Sequence, residues 1–278
     1  MNSISIGPLV FANDRFVAVV TIIAFLLVAE IAAWRKRGSA EAIRRWSGAT
    51  LVAWIAAARL GYVIGHWEAF AAAPLSVFAI WQGGFSSAAG TFGAGATLFA
   101  AFLRQRGAGL PVLISAIAAA LVFKIGTVLL PDDVRGRIPA AGFADLSGAP
   151  VSLNERDGQP LVLNLWATWC PPCRREMPMM VDVAQSQSSN QDGAEIVFAN
   201  QGEQVGTIRQ FLQLTDLPEA GMIRDPNNAL MEKFKLMGLP STLFFAADGT
   251  LQAVHTGEIS RAALLAGIRD LQTASDAE

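Results

Sequence analysis

The chain has 278 residues, of which 53% are hydrophobic and only 16% charged, and its formal net charge is −2. An ordinary soluble domain carries about 25% charged residues, so part of this chain is predicted to lie in a membrane. The second half has no basic patch with interleaved aromatic residues, which argues against nucleic acid as a partner.

The distribution of charge divides the chain into two halves. Residues 1–130 contain ten Lys and Arg against four Asp and Glu, a net charge of +6. Residues 131–278 contain eleven Lys and Arg against nineteen Asp and Glu, a net charge of −8. The sequence therefore predicts a membrane domain at residues 1–130, a short linker rich in proline, glycine and charge at 131–142, and a globular domain at 143–278.

Four apolar stretches in the first half approach the length that crosses a bilayer, at about residues 16–34, 48–65, 85–103 and 110–130. They predict an all-α domain of four transmembrane helices, with membrane lipid as its surroundings. Arginine and lysine lie in the first and third connecting loops, whereas the second carries Glu68 and no basic residue. By the positive-inside rule both termini lie outside the cytoplasm, in an oxidising compartment where disulfides persist.

Three ionisable residues fall within these stretches. Glu30 and Lys124 lie near the ends of their stretches and are interpreted as snorkelling to the membrane surface. Arg59 lies deeper, so it is expected to have a polar partner. Five glycines fit close packing of helices in lipid: Gly83, Gly84, Gly90, Gly93 and Gly95.

Short motifs in the first half resemble those of prolipoprotein diacylglyceryl transferase, over roughly residues 4–105. They are SIGPL at residues 5–9, RLGYV at 59–63 and WQGGFS at 81–86. That family transfers a diacylglyceryl group from a phospholipid to a lipoprotein cysteine. Ala88 stands where the family has a functionally important histidine, and the family's later Gly-Arg-x-Gly-Asn signature is absent. The resemblance therefore implies that this domain has the fold of the family but serves as an anchor or docking surface. Residual lipid transfer is the alternative.

The second half alternates predicted strands and helices. A hairpin turns at residues 147–148, and a buried strand at 161–165 runs into a helix that opens at Cys170. Further elements are a strand at 195–199, helices at 206–215 and 228–236, a hairpin of 241–246 with 250–254, and a last helix from Ser260 to about 271. This α/β order is that of the thioredoxin fold.

The only cysteines of the chain, Cys170 and Cys173, are separated by Pro171 and Pro172. A helix that opens at Cys170 places Cys173 one turn later on the same face, within reach of a disulfide. The positive end of the helix dipole lowers the pKa of the first thiol. A structural disulfide and half of a zinc site are the alternatives, but so short a loop stabilises little and neither histidine has ligand spacing. The pattern predicts a redox-active disulfide without cofactor or metal.

Residues from about 138 onward resemble the TlpA/ResA-like branch of thioredoxin-fold thiol–disulfide oxidoreductases. The resemblance rests on the Trp-Cys-x-x-Cys motif that begins at Trp169, on Pro178, and on GLPST at residues 238–242. It implies a cis peptide before Pro240, facing the cysteines, and a Leu239 backbone that pairs with an extended substrate. An ordinary strand-edge proline is the alternative. The predicted substrate-binding residues are Trp169, Pro171, Pro172, Leu239 and Pro240.

A proton acceptor for Cys173 is also required. Thioredoxin has a buried aspartate where this chain has Asn164, which takes no proton. The resemblance implies a glutamate after the next strand, so Glu203 in the segment NQGE is the candidate. The alternative is a solvated loop glutamate.

The resemblance implies a reductant in which the Cys170 thiolate attacks a client disulfide and Cys173 resolves the mixed disulfide. Client proteins of cytochrome c or copper-centre assembly, or of related thiol upkeep, are the implied substrates. Because the membrane half contains no cysteine, a separate transmembrane electron donor of the CcdA/DsbD type is needed. The expected location is a bacterial inner membrane, multi-pass, with the redox domain on the periplasmic side. The alternatives are a disulfide-forming oxidase and a docking or chaperone module.

Overall fold

The computed structural model describes residues 3–6, 9–71, 74–130, 136–140, 142–154, 158–189 and 193–275. The chain forms two compact units, one from Ile4 to Asp132 and the other made mainly of the chain from Asp133 onward. The residues Gly7 and Pro8 of the SIGPL motif, and residues 131–135 and 141 of the predicted linker, lie outside the described residues.

The first unit is helical. A small two-stranded sheet, β1 (Ser3–Ile6) and β2 (Leu9–Ala12), precedes its helices. These are α1 (Asn13–Arg35), α2 (Ala40–Gly65), α3 (Trp67–Ala71), α4 (Ser87–Arg104) and α5 (Arg106–Leu129).

The described part of the chain contains three helical segments long and apolar enough to cross a membrane, at Arg15–Arg35, Arg37–Gly65 and Arg106–Leu129. The third predicted stretch is also helical, as α4, but this helix has only 18 residues and an Arg at its end. It is not among the three candidate spans. The helical character of the first half is confirmed, whereas the count of four spans stays a prediction.

Glycines bring α2 and α4 close together. A Cβ added at Gly90 would lie 2.8 Å from the Trp54 ring, and one at Gly93 would lie 2.6 Å from the Cβ of Ala57. Both glycines therefore have the packing role that the sequence suggested. Gly95 does not, because a Cβ there would meet nothing within 4 Å.

Arg59 is only 6% exposed, and its guanidinium donates to backbone carbonyls. The acceptors are Val77 at 2.9 Å, Gly83 at 2.6 Å, Gly84 at 3.1 Å and Ser76 at 2.7 Å. The predicted polar partner of Arg59 is thus a set of backbone carbonyls between α3 and α4, in a segment that includes the short 3-10 helices Pro74–Phe78 and Ile80–Gln82.

The second unit is a mixed α/β domain whose elements follow the predicted order. Its strands are β3 (Gly142–Asp145), β4 (Pro150–Ser152), β5 (Leu161–Trp166), β6 (Glu195–Gln201), β7 (Met222–Asp225), β8 (Ser241–Phe245) and β9 (Leu251–Thr256). Its helices are α6 (Pro171–Ser188), α7 (Val205–Leu214), α8 (Ala229–Lys233) and α9 (Arg261–Ser275). In the described part, the strands form one seven-stranded sheet in the order β4-β3-β7-β6-β5-β8-β9.

Three strands at the centre of the sheet are parallel, because β6 pairs with β5 on one side and with β7 on the other. The strands β8 and β9 are antiparallel, and Leu165 of β5 lies opposite Ser241 of β8. Both predicted hairpins are present. The sequence analysis missed β7, a four-residue strand that completes the parallel core.

The residues of β5 and β6 alternate between two hydrophobic clusters, as expected of strands covered on both faces. Val162 and Phe198 belong to the cluster that α6, α7 and α9 complete. Leu163 and Val197 belong to the opposite cluster, which includes Leu230 of α8. The second unit therefore builds its own core from its own residues.

The described end of the predicted linker is hydrogen bonded to this sheet. The Ile138 N–H donates to the carbonyl of Gly249, and the Leu251 N–H donates to that of Gly136. Arg137 forms an isolated bridge with Thr250. Residues 136–138 thus extend the β8–β9 end of the domain, and the exact domain boundaries stay predictions.

Candidate active site

The fully buried strand β5 leads directly to the segment that carries the two cysteines. All six residues of β5 are buried, and the chain then turns at residues 167–169 before α6 begins at Pro171. Cys170 is the N-cap of α6, and its sulfur accepts a hydrogen bond from the Cys173 N–H at 3.3 Å. Pro171 occupies the first helical position, where its missing N–H costs no hydrogen bond.

Cys170 and Cys173 form a disulfide, with their Cα atoms 5.3 Å apart. Cys170 is 3% exposed and Cys173 is fully buried. The neighbouring Trp169 is 68% exposed, which is unusual for so large an apolar side chain. Pro171 is exposed and Pro172 half-buried, so an apolar surface surrounds the first cysteine. Pro178 lies inside α6, as predicted.

The peptide bond between Leu239 and Pro240 is cis, as the resemblance implied. Pro240 precedes Ser241, which lies opposite Leu165 at the end of β5 that leads to the cysteines. Leu239 packs against the hydrophobic cluster that contains both cysteines. In the described chain, the N–H and C=O of Leu239 make no backbone–backbone hydrogen bond, and their pairing with an extended client stays a prediction.

Glu203 lies in the loop after β6, beside the turn that precedes Cys170. Its carboxylate accepts the Thr168 N–H at 2.7 Å, the Thr168 hydroxyl at 2.5 Å and the side-chain amide of Asn200 at 2.7 Å. Among the hydrogen bonds of the described residues, none joins Glu203 to either sulfur. Its role as proton acceptor stays a prediction, and the contacts support a second one, which is to hold the active-site turn.

The sequence analysis missed Glu176, which follows Cys173 by three residues in α6. Glu176 is 2% exposed. Its carboxylate accepts the side-chain amide of Asn164 at 2.9 Å and the Ile259 N–H at 2.9 Å. Burial raises the pKa of Glu176 to about 7, although these two hydrogen bonds oppose the rise. The domain therefore contains a buried carboxyl group that changes its charge near neutral pH.

Two features of the sequence pointed to Glu176. A residue three positions after Cys173 lies on the same face of a helix, and that face also carries Met177 and Met180 into the core. Asn164 is a polar residue in a strand buried on both faces, so it requires a polar partner from a covering element.

A loss of hydrogen bonds is expected when Glu203 is replaced by Gln. The Gln side-chain oxygen would still accept a hydrogen bond from Thr168. Its NH2 group would take the place of the second carboxylate oxygen and would face donors instead of accepting from them. We expect a roughly fivefold lower rate of disulfide reduction at every pH between 5 and 9, from about 1 kcal/mol of lost turn stabilisation. A shift in the pH midpoint of the rate would instead support Glu203 as the proton acceptor. The exposed Glu232→Gln in α8 is the matched control.

Comparison with known proteins finds two family matches and a set of relatives. Residues 134–254 match the AhpC/TSA family, and residues 4–130 match prolipoprotein diacylglyceryl transferase. The thiol-disulfide oxidoreductase ResA of Halalkalibacterium halodurans is 32% identical over 113 residues, which are 41% of this chain and 62% of that protein. ResA of Geobacillus kaustophilus is 28% identical over 159 residues, which are 57% of this chain and 90% of that protein.

A crystal structure of a thiol:disulfide interchange protein from Chlorobium tepidum is also similar. The two proteins share 24% sequence identity, with a TM-score of 0.44. The match covers 50% of this chain and 97% of the Chlorobium tepidum chain. The chain spans less than two thirds of the Halalkalibacterium halodurans relative.

The C-terminal domain thus contains a Cys-x-x-Cys disulfide, and its homologues are named thiol-disulfide oxidoreductases. Its family match is to AhpC/TSA, over residues 134–254, and ResA proteins are among its homologues. The N-terminal half carries the prolipoprotein diacylglyceryl transferase match, which confirms the resemblance read from its motifs and extends it to residue 130.

Proposed function

We propose that the protein is a membrane-anchored thiol–disulfide oxidoreductase that reduces disulfides of client proteins outside the cytoplasm. The observation that carries the proposal is the Cys170–Cys173 disulfide at the start of α6, next to the exposed Trp169 and in the cluster against which Leu239 packs. A cross-link over so short a loop contributes little stability, so its value to the protein lies in opening and closing.

The reaction exchanges one disulfide for another. In the reduced protein the Cys170 thiolate attacks a client disulfide, forms a mixed disulfide and releases one client thiolate. Cys173 then loses its proton and attacks Cys170, which releases the second client thiolate and restores the Cys170–Cys173 disulfide. Two electrons pass to the client, whose two thiolates take up two protons.

Two carboxyl groups are candidates for the Cys173 proton. Glu176 lies one helical turn after Cys173 on the same face, and its pKa of about 7 lets it exchange a proton at neutral pH. Glu203 lies against Thr168, two residues before Cys170.

The N-terminal half would serve as the anchor. Ala88, in α4, offers no proton acceptor at the position of the family histidine, so lipid transfer is not part of the proposal. The basic residues in the first and third loops support a location of the redox domain outside the cytoplasm, at a bacterial inner membrane. Regeneration then requires a separate membrane protein that carries electrons, of the CcdA/DsbD type.

The reduction potential decides between a reductant and an oxidase. Because the chain contains no other cysteine, the full-length protein in detergent reports only this couple in thiol–disulfide buffers. We expect a potential near or below that of thioredoxin, about −270 mV. A value near that of DsbA, about −120 mV, would reverse the proposed direction and favour the disulfide-forming alternative. Cys173→Ser is the control, since it abolishes the intramolecular couple.

A further inference from the structure

A groove of about 420 Å³ lies in the first unit, between α1 and α2. Its apolar wall is formed by Ile23, Leu26 and Leu27 of α1, which are between 44% and 57% exposed. One end of the groove carries the charged residues Glu30 and Arg44. A groove with an apolar wall and a charged end has the amphipathic character of a phospholipid.

Glu30 and Arg44 form a two-point ion pair. The Arg44 Nε donates to Glu30 Oε2 at 2.9 Å, and its Nη2 donates to Oε1 at 2.5 Å. Both side chains are more than half exposed, and the interpretation that Glu30 snorkels to the membrane surface stays a prediction. In the described structure Arg44 Nη1 makes no hydrogen bond, and each carboxylate oxygen has a second lone pair. The pair can therefore bind one cation and one anion without separating.

A buried hydroxyl also lines the groove. Ser47 is 2% exposed, and its Oγ has no hydrogen-bond partner among the described residues. A buried hydroxyl without a partner costs free energy. The next residue, Gly48, leaves the groove open, because a Cβ added there would meet nothing within 4 Å.

Because it is near the end of a candidate span, the charged end of the groove is expected at the level of lipid head groups. Glu30 is five residues before Arg35, the end of α1, which is a rise of about 7.5 Å along the helix. Arg35, Lys36 and Arg37 follow directly. The apolar wall runs from Glu30 toward the middle of α1, as an acyl chain would run from its head group.

We propose that this groove binds a phospholipid with an ethanolamine head group. The primary ammonium would donate to Glu30, the phosphate would accept from Arg44, and one acyl chain would lie along Ile23, Leu26 and Leu27. The basic residues attract any phosphate, but Glu30 selects for an amine with N–H donors. Phosphatidylglycerol offers no cation to Glu30, and phosphatidylcholine offers no N–H.

Native mass spectrometry of the full chain in detergent tests the head group. The protein is offered equal amounts of phosphatidylethanolamine, phosphatidylglycerol and phosphatidylcholine with identical acyl chains. We expect about threefold preferential retention of phosphatidylethanolamine over either competitor, the effect of one partly exposed ion pair. In Glu30→Gln this preference should disappear. Equal retention of the three lipids, preference for phosphatidylglycerol, or no retention would each overturn the proposal.

A pair of glycine variants tests the location. Gly48→Leu fills the groove, whereas Gly95→Leu makes the same change at an open position in α4. Both replace a helical glycine with a better helix former, so neither is expected to unfold its helix. We expect Gly48→Leu to abolish the lipid preference and Gly95→Leu to preserve it. Loss in both variants, or in neither, would place the lipid elsewhere.

Discussion

Replacement of Cys170 by Ser should lower the rate of client disulfide reduction by a factor on the order of 10³ or more. The attacking atom is a thiolate, and a serine hydroxyl is not ionised in its place at neutral pH. The fold should persist, because Cys170 caps α6 through one hydrogen bond that serine also provides. The measurement is the reduction of a disulfide substrate by the full chain in detergent, supplied with a chemical reductant.

Replacement of Cys173 by Ser provides the complementary result. The Cys170 thiolate would still attack a client, but no second thiol would release the mixed disulfide. A covalent complex that disappears on reduction should therefore accumulate on a non-reducing gel with Cys173→Ser and be absent with Cys170→Ser. Activity retained in Cys170→Ser would instead support a docking or chaperone module whose function needs no thiol chemistry.

Most elements of the redox domain could be predicted because its strands are unambiguous in the sequence. The runs that became β5 and β6 are short, apolar and bounded by turn residues, which is typical of parallel strands buried on both faces. The exception, Met222–Asp225, has only two consecutive apolar residues between Gly221 and Pro226. It is a strand because β6 and β3 provide hydrogen bonds on both sides, and such tertiary pairing leaves little local signal.

The surroundings of the two carboxyl groups near the cysteines could not be predicted from the sequence. Glu203 was selected by resemblance, and its contacts with Thr168 and Asn200 depend on how two loops meet after folding. Glu176 lies in a segment, CRREMP, that has the charge of a solvent-exposed helix. Its burial results from α9 and the Ile259 backbone covering that part of α6, far along the chain.

The ionisation of Glu176 should make the stability of the redox domain depend on pH. Burial raises the pKa of Glu176 from 4.5 to about 7. Between these values the unfolded chain loses the proton while the folded domain retains it, so the free energy of unfolding falls as pH rises. The decrease should be about 3 kcal/mol between pH 4.5 and 7, with no further contribution above pH 7, where both states are ionised.

The variant Glu176→Gln isolates this effect, because Gln is neutral at every pH. Asn164 Nδ2 now donates to Glu176, so the Gln amide gains an acceptor only when the Asn164 amide flips to present its Oδ1, which has no partner among the described residues; the Gln oxygen then accepts the Ile259 N–H. Urea unfolding of residues 133–278 in the oxidised state, from pH 4.5 to 8, should show the decrease in the natural sequence and in the exposed control Glu232→Gln. Glu176→Gln should lack that component. A decrease of equal size in all three would show that the charge on Glu176 is not the cause, and that the carboxyl group titrates near its usual pKa in the folded domain.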